Sequence, residues 1–556
     1  MTKRWERLPV DLNRSAHTDT FTRDNLPPQD TWPEFIRELP ELHYPERLNA
    51  AHALLDDGVA RFGADRPCVS AADGSLSWSY GELLARANQL AQVLVQDHGL
   101  VPGGRVLLRG PNNPWLVAVW FAIVKAGGVV VATMPLLRAH ELTAIAEIAR
   151  VDLAVCDHRF LADLEGAQIP GLRIVPFGGD APDDLTVTSA TRPATFDACD
   201  TSADDVAILA FTSGTTGRPK ATMHFHRDLL ANADTFSAHV LRPVADDVFI
   251  GTPPIAFTFG LGGLVIFPLH VGASTVMVER ATPAELAQLI ESHGATVCFT
   301  APTAYKAMIA GGLGDALRGL RRAVSAGEHL PLSTWHAVHE QTGLKLIDGI
   351  GSTELLHIFI GSSDDDIRPG STGRPVPGYR AKVIDLDGAE VPDGTAGRLA
   401  VQGPTGCRYL NDARQAVYVE NGWNVTGDTF IRDADGYFWY QARSDDMIIS
   451  AGYNISSTEV EEALLSDPAV LESAVVAAPD EERGAIVKAF VVLKDPASVG
   501  PRGSEAWNAQ VAALQAHVKG VIAPYKYPRA IEFVDALPRT STGKVQRRAL
   551  RGEGTG

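Results

Sequence analysis

The chain has 556 residues, 45% of them hydrophobic, and a formal net charge of −18 from 67 acidic against 49 basic residues. That length exceeds what a single core can fill, so a large domain of several lobes with a smaller one is expected. The acidic balance argues against a nucleic-acid partner or an anionic membrane surface, since both need a basic footprint.

Residues 1 to about 50 are polar with scattered prolines and are expected to wrap the surface. The N-terminus, Met1-Thr2-Lys3-Arg4-Trp5-Glu6, has no apolar run of the signal-peptide kind. The cysteines Cys68, Cys156, Cys199, Cys298 and Cys407 are widely spaced with no CxxC, which fits a reducing, cytoplasmic setting. From Leu54 to about Ile384, short apolar runs such as Arg105–Leu108, Asp152–Val155 and Ala207–Ala210 alternate with amphipathic segments. This is the pattern of α/β layering with buried strands. The most apolar stretch, Trp115–Val124, is about half the length of a membrane helix and predicts a buried helix followed by the strand Val129–Val131.

At the end of the apolar run Val206–Ala210 stands Phe211-Thr212-Ser213-Gly214-Thr215-Thr216-Gly217-Arg218-Pro219-Lys220. Hydroxyls, open glycine backbone and a lysine in one short turn suit an anion, because glycine lets the backbone approach it and amides and hydroxyls donate to its oxygens. A bare polar turn is the plainer alternative. The segment is not a Walker loop: only Thr215 and Thr216 separate Gly214 from Gly217, and Pro219 precedes Lys220.

Beyond Arg443 the pattern changes scale. Ser456 and Glu459 have capping-box spacing before a short helix. Strands are predicted at Ser473–Ala477, Ala489–Leu493 and Ile531–Val534. Ser504 caps a second helix that carries Trp507, Val511, Leu514 and Val518 on one face and ends at Gly520. The expected domains are therefore 1–443 and 444–556, the second a compact α+β unit of roughly 110 residues.

The run Thr212–Lys220 resembles the signature of the adenylate-forming superfamily, which includes acyl- and aryl-CoA ligases. Four further runs resemble its other motifs in family order. These are Asp348-Gly349-Ile350-Gly351-Ser352-Thr353-Glu354, Thr426-Gly427-Asp428, Arg443–Ile449 and Pro538–Lys544. The resemblance implies an α/β fold, with a large multi-lobed N-terminal domain and a small mobile C-terminal α+β domain. It implies that Thr212, Ser213, Gly214, Thr215, Thr216, Gly217 and Lys220 hold the ATP phosphates. Thr353 would meet the α-phosphate and Glu354 would ligate Mg²⁺, a hard cation that favours oxygen. Gly327, Glu328, Asp348 and Gly349 would line the adenine slot, and Asp428 with Arg443 would hold the ribose. Lys544 would bridge carboxylate and α-phosphate. Asp445 would be the hinge, and Gly452, Tyr453, Tyr525 and Lys526 would meet coenzyme A. For each of Lys544, Asp428 and Glu354 taken singly, a solvated tail lysine, a turn capper and an N-cap neighbour are the ordinary readings.

Phe257-Thr258-Phe259-Gly260 follows Pro253-Pro254, where the family builds its acid pocket. The run from Gly351 through His357 to Phe359 resembles benzoate–CoA ligases. Met223–Asp228 and Gln441–Asp446 are most similar to 2-aminobenzoate–CoA ligases. Phe257 and Phe259 suit a flat ring, with plain core aromatics as the alternative, and His357 suits the ring or its carboxylate. Benzoate ligases read Ala-Tyr where this chain has Thr258-Phe259, so a polar ortho substituent is expected. His224 and His226 have no third ligand cluster to make a zinc site. A carrier-protein loading enzyme and a non-catalytic nucleotide-binding protein are the competing readings. The partners implied are an aromatic acid, ATP and coenzyme A, and a homodimer is kept open.

Overall fold

The computed structural model describes residues 12–212, 219–443, 447–450, 453–480, 484–522, 524–540 and 544–552. The large domain is built on three sheets. In the first, the strands Arg173–Phe177, Leu153–Asp157, Arg105–Arg109, Val129–Thr133 and Val206–Thr212 run parallel in that spatial order. Lys220–Phe225 closes it antiparallel. The second has nine strands, with Ile347–Gly351, Arg322–Ser325, Val297–Thr300, Val248–Gly251, Ser274–Met277 and Pro67–Ala71 as a parallel centre. The third is antiparallel and includes Ala396–Gln402, Trp423–Arg432 and Phe438–Arg443.

The apolar stretch before Gly127 forms the helix Pro114–Lys125, buried along nearly its whole length, because apolar residues recur on all its faces. The strand Val129–Thr133 follows it. Among the described residues no helix is long and apolar enough to cross a membrane. The early segment does more than wrap the surface. Trp32 and Leu42 are each 1% exposed, and Trp32 donates its indole N–H to the Pro27 carbonyl at 2.7 Å. Polar composition concealed these few apolar anchors.

The small domain pairs Val470–Asp480, Gly484–Leu493 and Ala530–Phe533 in one sheet, longer at the first two strands than expected. The helices Ser457–Leu465 and Glu505–Val521 cover it. Ser456 accepts the Glu459 backbone N–H at 3.1 Å, but the Glu459 carboxylate is taken by Lys526, so the capping box stays half made. The second helix is capped by Ser504 and passes through Gly520 to Val521. Val460, Val475, Val491, Leu514 and Val518 belong to a core of this domain alone, separate from the large-domain cores around Trp120, Phe299 and Tyr305.

Candidate functional site

The described ends of the anion-binding candidate are two paired strands. Thr212 ends one strand and pairs in register with Lys220, which opens the next. Ser213, Gly214, Thr215, Thr216 and Gly217 lie outside the described residues. Lys220 reaches across to the short turn Thr353–Leu355, and its ammonium lies 2.9 Å from the Glu354 Oε1. The Tyr409 hydroxyl donates to the same oxygen at 2.5 Å and accepts from Lys220. Lys220 also sits 4.4 Å from the centre of the Tyr409 ring and 5.4 Å from that of Tyr418. Burial alone would raise the Glu354 pKa, but the Lys220 charge and the Tyr409 hydroxyl outweigh it and hold the carboxyl below its usual range.

The turn carrying Glu354 is fixed from both sides. Ser352 accepts the Leu355 N–H at 3.2 Å, and the His224 Nε2 meets the Thr353 carbonyl at 2.7 Å. Tyr409 is fixed by a strand-like run against Lys220–Phe225: Leu410 N–H donates to the Ala221 carbonyl and Met223 N–H to that of Arg408. Tyr409 and Tyr418 were not legible in the sequence. Both stand in a stretch without periodicity or motif, and only the fold brings them to Lys220.

Gly327 and Glu328 form the turn after the strand Arg322–Ser325. Gly327 has φ +91°, a left-handed conformation that favours glycine. The neighbouring strand brings Asp348 level with Ser325, with Gly349 next in line. Desolvation pushes Asp348 up to about 7 against the pull of His329, the Gly349 N–H and Thr372. Asp428 is 8% exposed and lies opposite Arg443 in the antiparallel register. On the small domain, the Lys544 carbonyl accepts the Thr540 N–H at 2.7 Å. Burial raises the Glu328 pKa, opposed by Arg539, the Thr303 hydroxyl and Lys544. The Lys544 charge therefore reaches the turn that carries Glu328.

Phe257 precedes the short helix Thr258–Leu261. Gly260 is obligatory there, since a Cβ would come within 2.2 Å of the Pro254 carbonyl oxygen. Phe259 and Thr258 face different surroundings. Phe259 packs against Phe299 and His357, with ring centres 5.5 and 5.6 Å away, whereas Thr258 lines a cavity with Trp120, Ile208, Ala210, Ile255 and Phe257. His357 is 2% exposed, and Phe236 and Phe267 also surround it at 5.3 and 4.6 Å. Neither ring nitrogen has a hydrogen-bond partner of normal geometry. Burial pushes its pKa down to about 3, against a weak pull from the Phe259 backbone, so the ring is neutral.

The other expected positions are less gathered. Asp445 and Gly452 lie outside the described residues, and Tyr453 opens the strand Tyr453–Ile455. Tyr525 is 40% exposed. The Lys526 Nζ lies 2.6 Å from both Glu459 oxygens, so its charge is already engaged within the small domain.

Comparison with known proteins sets this geometry in a family. Residues 55–409 match the AMP-binding enzyme family and residues 459–544 its C-terminal domain. The benzoate–CoA ligase of Thauera aromatica is 38% identical over 92% of this chain and 97% of its own length. The 3-hydroxybenzoate–CoA ligase of Aromatoleum sp. (strain CIB) is 32% identical over 91% of this chain and 96% of its own length. The solved anthranilate CoA ligase AuaEII, in complex with anthranoyl-AMP, superposes with a TM-score of 0.85 at 34% identity, covering 93% of this chain and 99% of that one. The chain thus belongs to the AMP-binding, adenylate-forming enzymes, in the branch that includes the benzoate–CoA ligases.

Proposed function

We propose that this enzyme joins an aromatic carboxylic acid, best 2-aminobenzoate, to coenzyme A through an acyl-AMP intermediate, releasing AMP and pyrophosphate. The observation that carries the reading is His357, a neutral, hydrogen-bond-orphaned imidazole among phenylalanines, one turn along the chain from the Glu354–Lys220 pair. It puts an aromatic cluster within three residues of a charged pair suited to phosphate chemistry.

In the first step a carboxylate oxygen attacks the α-phosphorus of ATP, and the bond to the pyrophosphate oxygen breaks. Lys220 at the loop and Lys544 at the cleft oppose the negative charge that builds there. In the second step the thiol sulfur attacks the acyl carbon, AMP departs and the thiol proton is lost. Glu354 offers a buried carboxylate that suits Mg²⁺, which is commonly held by one or two carboxylates plus substrate phosphates. When bound, that ion supplies charge neutralisation on the phosphates. A carrier-protein acceptor is the second reading, and coenzyme A consumption with each AMP released separates the two.

Tyr409→Phe is expected to lower kcat/KM for ATP by about tenfold, because the hydroxyl shared by Lys220 and Glu354 is worth roughly 1–3 kcal/mol when it meets charged groups. Steady-state kinetics against ATP, beside a melting curve, check it. An unchanged kcat/KM would remove Tyr409 from the site.

The ring substituent is tested with benzoate, salicylate and 2-aminobenzoate. The Thr258 hydroxyl can accept from an ortho N–H, and with benzoate it loses that partner on closure. The difference is roughly 1–3 kcal/mol, so kcat/KM for 2-aminobenzoate is expected to exceed that for benzoate by about tenfold. Thr258→Ala is expected to narrow the gap. Equal loss on both substrates would move the reading of the substituent to His357, and a wild-type preference for benzoate would overturn the substrate assignment.

A further inference from the structure

The small domain meets the large one through polar contacts at the edge of the nucleotide slot. His329, next in sequence to Glu328, places its Nε2 2.8 Å from the Glu462 Oε1 on the small-domain helix Ser457–Leu465. The same imidazole stacks on Tyr440 at 5.5 Å and 25°, and Tyr440 belongs to the strand Phe438–Arg443 that leads toward the domain boundary. Nearby, the Lys306 ammonium donates to the Leu471 carbonyl of the small domain at 2.6 Å. The charges of Glu472, Lys494 and Arg539 reach Lys306, and burial lowers its pKa. Both contacts accompany the arrangement in which the Lys544 charge falls on Glu328.

We propose that His329–Glu462 and Lys306–Leu471 form a latch that holds the small domain with Lys544 at the adenylation site, making His329, Glu462 and Lys306 positioning residues for the first step alone. The proposal rests on the two-step reading above. A contact present in one of two orientations shifts their balance only by its differential free energy. Residues on opposite domains cannot keep such contacts once the domains turn. His329 and Glu462 remain 20% and 36% exposed, so water can replace each partner when they part. The latch is therefore weak enough to open at every turnover. Its location gives it a second property: the residue that touches the small domain is covalently next to the proposed adenine slot, so the nucleotide and the latch share one turn.

The test measures the two half-reactions separately by rapid quench in the full-length enzyme. Glu462→Gln, His329→Ala and Lys306→Met are each expected to slow acyl-AMP formation about three- to tenfold, the range for a partly exposed ion pair or charged hydrogen bond. Transfer from supplied acyl-AMP to coenzyme A should stay at or above the wild-type rate. His329→Ala combined with Glu462→Gln should be no slower than either alone, as expected for one shared contact. Glu462 lies on the small-domain helix rather than in the slot, so its variant isolates the latch from direct loss of ATP binding. Equal slowing of both half-reactions, unchanged adenylation in Glu462→Gln and Lys306→Met, or additive loss in the double variant would each overturn the proposal. Lys544→Ala, run beside them, separates the two layers. If it damages both half-reactions equally, the two-step role of Lys544 fails, whatever the latch variants show.

Discussion

Lys544→Ala is expected to reduce acyl-AMP formation by at least two to three orders of magnitude while sparing acyl transfer from pre-made acyl-AMP. The carboxylate and the α-phosphate are both anionic, and charge grows on the bridging and leaving oxygens as they join. A cation held there is bound more tightly in the transition state than before it, which is what raises a rate rather than only an affinity. Loss of one preorganised donor to developing negative charge typically costs about 10²–10³ in rate, and a full charge sets the larger end. The Lys544 backbone is held by Thr540, whose backbone N–H and hydroxyl both engage it. Truncating the side chain therefore leaves these backbone bonds in place. Single-turnover measurement of each half-reaction is the check, and equal loss in both would remove Lys544 from the first step.

Arg408→Ala is expected to be the most destabilising single change near the site, by about 3–5 kcal/mol, because it strands a buried carboxylate. Arg408 and Asp228 have fully buried side chains and meet at 2.8 Å, and the guanidinium lies 4.0 Å from the centre of the Phe225 ring. Burial would raise the Asp228 pKa, but Arg408 and Arg227 outweigh it and hold it below the ordinary carboxylate value. A depressed folded pKa contributes stability above the unfolded value, near 3.9, that is lost as pH falls through the folded one. The wild type should therefore begin to lose this contribution as pH falls below about 4. In Arg408→Ala the carboxyl loses its main counter-charge, and its loss of stability should be greatest at neutral pH. Denaturant melts at pH 7 and pH 3 measure both. A loss smaller than about 1 kcal/mol at pH 7 would show that the pair contributes little. Because Arg408 precedes Tyr409 in the run paired with Lys220–Phe225, activity should fall with stability.

The layered α/β plan and the helix Pro114–Lys125 were legible because buried strands and an all-apolar helix write themselves as uninterrupted apolar runs. Caps were legible where one side chain does the work, as at Ser456 and Ser504. Partners that depend on tertiary competition were not: Glu459 turns to Lys526 instead of closing its box. In the site, Lys220 and Glu354 stand out through motifs, but their meeting at 2.9 Å and the tyrosines around them come from segments far apart in sequence. The division of labour between Thr258 and Phe259 was likewise invisible, because a one-residue step along a nascent helix changes the wall each side chain faces.

The separation of the small-domain core from those of the large domain has a thermal consequence. Among the described residues no apolar cluster spans both bodies to oblige them to melt together, and the contacts between them described above are polar and partly wet. Unfolding is then expected to proceed in two calorimetric steps, with the smaller body, which buries less apolar surface, going first. Warming would silence the enzyme while most of its mass is still native, and cooling would restore activity as long as the larger body had not yet melted.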